Sequence, residues 1–224
     1  MRPSRLLTTA AEMATALARV GRTLFVVDHD DGLALSHRGV AQIGGDAGVD
    51  GLPLLALAPA SPPSRFGSAA FAGDHGVRFC YVAGAMANGI ASTELVEAMG
   101  RARMLSFFGA AGLEPGVVED AIDRVSTRLG DLPWGFNLIH SPYEPRLEEA
   151  VADLYIRRGV NRVSASAYMD LTLPLVRYRL HGIHADASGR IVTPNRLIAK
   201  VSRIEVATKF FSPPPPKMLA EQVA

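Results

Sequence analysis

Small residues, amides, hydroxyls and one cation gather in five short segments: Gly84-Ala-Met-Ala-Asn88, Gly109-Ala-Ala-Gly112, Asn137 with His140, Ser164-Ala-Ser166, and Lys200. Glycine and alanine let backbone approach a flat ligand closely, and a lysine can stabilise negative charge on it. That set suits a bound cofactor better than hydrolysis. The segments hold no pair of carboxylates, which disfavours glycosidase-type acid/base chemistry. The chain also lacks a G-x-S-x-G nucleophile elbow. Each residue has a plainer reading. Gly84, Gly109 and Gly112 also suit tight turns, and Asn137 can cap its own loop. Lys200 is harder to set aside, because a lysine at the end of a buried strand must find a partner or water.

The elements that position these segments follow a regular alternation. Apolar runs at Phe79–Ala83, Met104–Phe108, Trp134–Ile139, Arg162–Ala165 and Leu197–Val201 read as strands. Each is followed by a helical pattern: Thr93–Gly100, Glu114–Leu129, a helix opening at Pro145 and stopped by Gly159, Leu173–His181, and Glu205–Phe211. The second helix is expected to bury Val117, Val118, Ala121, Ile122 and Val125, and the third Leu147, Ala150, Val151, Leu154 and Tyr155. Strand-then-helix repeats argue for a parallel sheet covered by helices. Neither G-x-G-x-x-G nor G-x-x-x-x-G-K-[ST] follows any strand, which favours a (β/α)8 barrel over a doubly wound sheet. In a barrel, function sits at the C-terminal ends of the strands, where the five segments fall.

Residues 1–75 differ and read as an N-terminal α+β appendage, with residues 76–224 as the first, incomplete part of the barrel. A helix near Thr8–Arg19 places Met13, Ala16, Leu17 and Val20 at helical spacing, and Thr23–Val27 with Leu33–Leu35 reads as a hairpin around Asp28-His-Asp-Asp-Gly32. That acidic cluster is a polar turn before it is a metal site. Gly44–Gly51, Pro59–Arg65 and the prolines 213–216 read as connectors. His181 and His184 lack helical support for metal binding, and Cys80 reads as a buried, inert thiol.

The 224 residues carry 23 Lys plus Arg against 22 Asp plus Glu, a net charge of +1, so there is no electrostatic footprint for nucleic acid or an anionic membrane. One cysteine excludes an intrachain disulfide and a cysteine-based zinc cluster. The start of the chain, interrupted by Glu12 and Arg19, is not of secretory type. Its Arg- and Ser/Thr-bearing pattern leaves a transit peptide as the alternative to the expected cytoplasmic location.

Longer motifs carry a family resemblance. Asp74-His-Gly-Val-Arg78 and Tyr81-Val-Ala-Gly-Ala-Met-Ala-Asn-Gly-Ile-Ala-Ser92 resemble the PfaD family. These are trans-acting enoyl reductases of polyunsaturated fatty acid synthases and trans-acyltransferase polyketide synthases, related to nitronate monooxygenases (2-nitropropane dioxygenases). Further matches are Phe107-Phe-Gly109, Gly135-Phe-Asn-Leu138, Asp153-Leu-Tyr155, Val176-Arg-Tyr-Arg179 and Ile198-Ala-Lys-Val-Ser-Arg203, so the resemblance covers about residues 50–224. It implies an FMN-binding (β/α)8 barrel. Gly84, Ala85, Met86 and Ala87 would lie against the flavin, Asn137 would contact the ring or its phosphate side, and Lys200 would approach the pyrimidine edge. The implied reaction moves a hydride from NADPH or NADH through flavin to an enoyl thioester on an acyl carrier protein, among polyketide or fatty acid synthase components. A nitronate oxidase or a non-catalytic half-barrel scaffold are the alternatives.

The sequence departs from the family's pattern. It has no Gly-Gly-His segment, so the expected catalytic histidine lies beyond residue 224, and it has no glycine-rich phosphate loops of strands seven and eight. After the appendage, about 150 residues remain against roughly 250 for a complete barrel. The expectation is a truncated portion, weakly active or inactive, with exposed strand edges that favour association.

Overall fold

A computed structural model describes residues 1–30, 32–44 and 51–223. The chain divides into two compact units, Met1–Ala69 and Ala70–Ala224.

In the first unit β1 (Arg2–Pro3) pairs antiparallel with β4 (Gly39–Val40). Helix α1 (Ala10–Leu17) begins at a reciprocal cap: the Glu12 amide donates to the Thr9 hydroxyl, and the Thr9 amide donates to the Glu12 carboxylate. Strands β2 (Leu24–His29), β3 (Gly32–Ser36) and β5 (Leu54–Ala58) form an antiparallel sheet in the order β3-β2-β5. Ala16, Leu24 and Leu35 make its small core, with Met13 against them. Leu17 and Val20 are exposed, contrary to the expected stripe, because the helix ends at Leu17 and Val20 falls outside its period. The hairpin turns through Asp30, whose φ is 41°, beside Asp31, which is outside the described residues. Among the described residues no group of three His, Cys, Asp or Glu side chains could hold a metal ion. Most of the Gly44–Gly51 connector also lies outside them.

The second unit opens with α2 (Ala69–His75), then alternates: β6 (Val82–Ala83), α3 (Thr93–Arg101), β7 (Leu105–Phe108), α4 (Pro115–Leu129), β8 (Gly135–Ile139), α5 (Pro145–Arg157), β9 (Arg162–Ser166) and α6 (Leu173–Leu180). A two-residue ribbon, β10 (His184–Ala185) with β11 (Ile191–Val192), precedes β12 (Arg196–Ala199), α7 (Ile204–Phe211) and α8 (Pro216–Val223). The five-stranded sheet runs β12-β9-β8-β7-β6, every pair parallel. Order in the sheet equals order in the chain, without the reversal a doubly wound sheet requires. The result is a partial (β/α)8 barrel.

Side-chain alternation gives the sheet two faces. One carries Phe108, Phe136, Leu138, Val163 and Ala165, which pack with Val118, Ile122, Val125, Leu154 and Tyr155 from the helices. The stripe of α4 runs through Val118, Ala121, Ile122, Val125 and Leu129, and Val117 is exposed because it lies one residue, about 100°, off that stripe. On α5, Ala150 is exposed and Ala152 is buried in its place. The buried side chain of Glu97 anchors α4 to α3 through Arg124 at 3.0 Å.

The other face carries Leu105 and Phe107, against which Val77, Phe71 and Ile198 pack. Gly135 is required here: a Cβ would stand 2.6 Å from the Phe107 ring and 2.5 Å from the Arg162 carbonyl oxygen. Cys80 precedes β6 and is half-buried, not the buried start of a strand, because pairing with β7 begins only at Val82. No helix among the described residues is long and apolar enough to cross a membrane.

Candidate active site at the strand C-terminal ends

After β6 the chain leaves the sheet as a loop whose backbone is bonded to itself and to the end of β7. The Asn88 amide donates to the Ala111 carbonyl at 2.8 Å and the Gly89 amide to the Gly109 carbonyl at 2.9 Å. The Ala91 amide donates to the Met86 carbonyl at 3.1 Å, and the Gly109 amide to the Ala91 carbonyl at 2.9 Å. Asn88 and Gly89 both have positive φ, 54° and 69°, which turns the loop sharply back. Ser92 then caps α3 by accepting from the Leu95 amide at 3.3 Å.

This network uses amide and carbonyl groups and leaves Met86, Ala87 and Ile90 outward, while Ala91 is buried and Ala85 packs against the core. Met86 is 50% and Ile90 66% exposed, while nothing lies within 4 Å of the place a Cβ would take on Gly84. The loop is a fixed, open, apolar surface. A Cβ on Gly109 would fall on the Met86 carbonyl oxygen, and one on Gly112 on the Asn88 amide oxygen. The glycine pair is therefore needed for close approach as well as for turning.

Farther along the same edge, Asn137 of β8 is buried and its amide nitrogen is fully used. It donates to the Ser164 carbonyl and to the Ser166 hydroxyl, both at 2.8 Å. The Asn137 carbonyl accepts from the buried Tyr155 hydroxyl at 2.6 Å. Register pairs Asn137 with Ser164 and Ser164 with Ile198, so all three share one face. Lys200, two residues past Ile198, follows on that face by alternation. Its side chain is exposed, and its amide continues the pairing by donating to the Ala165 carbonyl at 2.9 Å. The sequence-derived residues thus fall on one edge of one sheet: Gly84 to Ala87 on the β6 loop, Asn137 in the middle, Lys200 at the far strand.

A second constellation stands on the opposite, helix-facing side of β8. Glu148, in the first turn of α5, is 4% exposed and accepts from four donors. Its Oε2 lies 2.8 Å from His140 Nδ1 and 3.4 Å from the Ser141 amide. Its Oε1 accepts from the Tyr168 hydroxyl at 3.1 Å and from the Thr172 hydroxyl. Burial first, and then the Glu148 charge, push the Tyr168 phenol well above its usual range, so it stays a donor. The Tyr168 ring lies over the His140 ring, with centroids 5.3 Å apart and planes at 30°. A hollow of about 160 Å³ reaches in at this point, lined by Ala110, Gly112, Asn137, Leu138, Ser141 and Glu148. Sequence reasoning used His140 only to mark the end of a strand and missed Glu148. The signal was there: Glu148 sits in the apolar stripe with Val151, Ala152 and Tyr155, at intervals of three, four and seven.

No family model matches the sequence. Individual relatives do. The polyketide biosynthesis protein ThaF of Burkholderia thailandensis is 43% identical over 164 residues, 73% of this chain and 14% of that protein. A polyunsaturated fatty acid synthase component of Thraustochytrium sp. is 42% identical over 158 residues, 70% of this chain and 11% of that protein. Among solved structures, the enoyl reductase domain of MlnA, from the macrolactin biosynthesis cluster of Bacillus amyloliquefaciens, superimposes with a TM-score of 0.70 at 40% identity, covering 72% of this chain and 37% of that one. The chain spans well under half the length of each.

Fold and strand-end loop together define a segment of an enoyl-reductase-type (β/α)8 barrel. Over most of its own length the chain is similar to polyketide and polyunsaturated fatty acid synthase components and to an enoyl reductase domain, in line with the resemblance its motifs carry.

Proposed function

We propose that this chain supplies the flavin-facing part of an FMN-dependent enoyl reductase acting in polyketide or polyunsaturated fatty acid biosynthesis. The observation that carries the reading is the rigid, apolar, glycine-cleared loop Gly84–Ala91 at the C-terminal end of the first barrel strand. Its exposed face and the free space at Gly84 fit a flat aromatic ring; a Cβ at Gly109 would displace the loop backbone at Met86, and one at Gly112 the Asn88 side chain. Ala85, Met86 and Ala87 would lie against such a ring. Lys200 brings a positive charge to the other end of the same edge, where electron-rich reduced flavin needs it. Asn137 acts by fixing β8 to β9, since both of its donors are engaged.

FMN, when bound, carries hydride from NADPH or NADH to the β-carbon of an enoyl thioester. The chain's own residues bind, orient and set the charge around it. The relatives are synthase components by name, which supports an acyl-carrier-protein-bound substrate and synthase partners for this chain. The glycine-rich phosphate loops of the family are no part of this sequence, so the chain alone is expected to hold FMN weakly.

The test is titration of FMN by the purified chain, followed by nicotinamide oxidation with an enoyl-pantetheine thioester. Weak but saturable quenching of flavin fluorescence and slow enoyl-dependent oxidation are expected. Neither signal, or oxygen uptake with an alkyl nitronate instead of enoyl reduction, overturns the reading.

A further inference from the structure

The five-stranded sheet ends at β12, and among the described residues no strand pairs with its outer edge. The Arg196 and Lys200 amides donate inward, to the carbonyls of Asn161 and Ala165, both at 2.9 Å. Backbone groups of a parallel strand alternate between its two edges. The amides and carbonyls of Leu197, Ala199 and Val201 therefore point outward, as an open template for another strand. The same three residues line a hollow of about 480 Å³ with Leu175, Val176 and Phe210.

On the other face, at the N-terminal ends of the strands, Arg162 and Arg196 stand side by side as a register pair. Alternation puts both on the face of Asn137, Ser164 and Ile198. Arg162 donates to the Asn161 side-chain oxygen at 3.0 Å and to the His75 carbonyl at 3.3 Å, and its Nε is buried without a partner. Among the described residues neither guanidinium makes an ion pair. Asp74, next to His75 in sequence, is exposed and pairs with neither. Burial first, and then the Arg196 charge, lower the Arg162 pKa. Two cations side by side on a half-buried face are costly unless an anion joins them.

We infer that Arg162 and Arg196 receive a carboxylate carried by a partner strand that adds in parallel to the free edge of β12. Its Asp or Glu faces inward beside Arg196, and its alternate residues are apolar and enter the hollow. The ladder gives affinity, and the carboxylate gives register and choice of partner. A second copy of this chain does not meet these terms. Its own unpaired edge strand is β6 (Val82–Ala83), preceded by Arg78-Phe-Cys-Tyr81, which offers no carboxylate and brings another cation. The partner is therefore a different segment, apolar on one face and acidic at one position of the other. This role depends on the sheet alone and not on the reaction proposed above.

The experiment uses the full chain and a fluorescent peptide of alternating valine and polar residues whose first polar residue is Glu, beside its Gln twin. Anisotropy is expected to show the Glu peptide binding about tenfold tighter at low salt, with the preference lost in Arg196→Gln. Hydrogen exchange then locates the peptide. The Leu197, Ala199 and Val201 amides should gain protection, while those of Arg196 and Lys200, already bonded, should not change. Equal affinity of the two peptides, no binding, or protection elsewhere overturns the inference. Urea unfolding without peptide guards against a variant that merely misfolds. Arg196→Gln relieves the repulsion on Arg162, so its midpoint should rise. An unchanged or lowered midpoint would mean that Arg196 already has its anion within the chain, and overturns the inference. Sedimentation showing a dimer whose dissociation frees the same three amides overturns it in favour of a second copy.

Discussion

Gly109 and Met86 share one space: a side-chain carbon at position 109 would stand where the Met86 carbonyl oxygen lies. Closing that space moves the loop, because the carbonyl is pinned by the Ala91 amide. Gly109→Ala is expected to leave the helix-side core folded while the amides of Asn88, Gly89 and Ala91 lose hydrogen-exchange protection. Gly84→Ala, with open space around it, should leave that protection unchanged. Equal protection in both variants would show that the loop does not depend on Gly109.

Gly135→Ala tests the opposite situation, a glycine inside packed core. The added methyl meets a ring and a carbonyl, and overpacking of this kind costs about 1–3 kcal/mol. A urea midpoint lowered accordingly, with an unchanged slope, is the expected readout.

Asn137→Ala removes both donors to β9 and leaves the Ser164 carbonyl without that partner. The expected loss is about 1–3 kcal/mol, because a buried acceptor deprived of its donor carries its full desolvation cost. Urea unfolding measures it, and a loss below about 0.5 kcal/mol, the ordinary range for a surface change, would mean that the bonds hold nothing together.

His75 introduces a dependence on pH. Burial is the main cause that lowers its pKa below the ordinary 6.5, with Arg162 and Arg196 adding repulsion. The unfolded chain therefore takes up this proton more readily than the folded one. Stability is full above about pH 6.5 and falls as the pH drops from there through the lowered folded-state value. Urea midpoints at pH 7.5 and 5.5 should differ in that direction, and His75→Phe should shrink the difference. An undiminished difference in the variant would assign the effect to other groups.

Lys200→Ala separates stability from ligand binding. The side chain is exposed, so the unfolding free energy should move by less than about 0.5 kcal/mol. Flavin fluorescence quenching should weaken at the same time. Unaltered quenching would remove Lys200 from the flavin site.

The alternation of strand and helix was legible because each element of the second unit buries a strong apolar pattern. Phe136, Leu138, Val163 and Ala165 on strands, and Val118, Ile122 and Val125 on a helix, are unambiguous at their own periods. The first strand was overextended, since Phe79 and Cys80 look like sheet but the ladder with β7 begins only at Val82. Helix α2 escaped because seven residues containing Gly73 show no stripe. The edge strand Leu54–Ala58 escaped because its apolar residues are largely exposed. At the site, the type and edge of Gly84–Ala87 and Lys200 were readable, whereas the use of Asn137 as a strand clamp was not. Hydrogen-bond partners 27 and 29 residues away leave no local trace.

Because sheet order repeats chain order, each new strand has one place to go, the free edge of the strand made just before it. Assembly can therefore run in one direction as the chain emerges, each strand and helix docking on a finished neighbour without waiting for distant sequence. The sheet behaves like a zip with one slider, and a fault at β7 would be inherited by β8, β9 and β12 in turn.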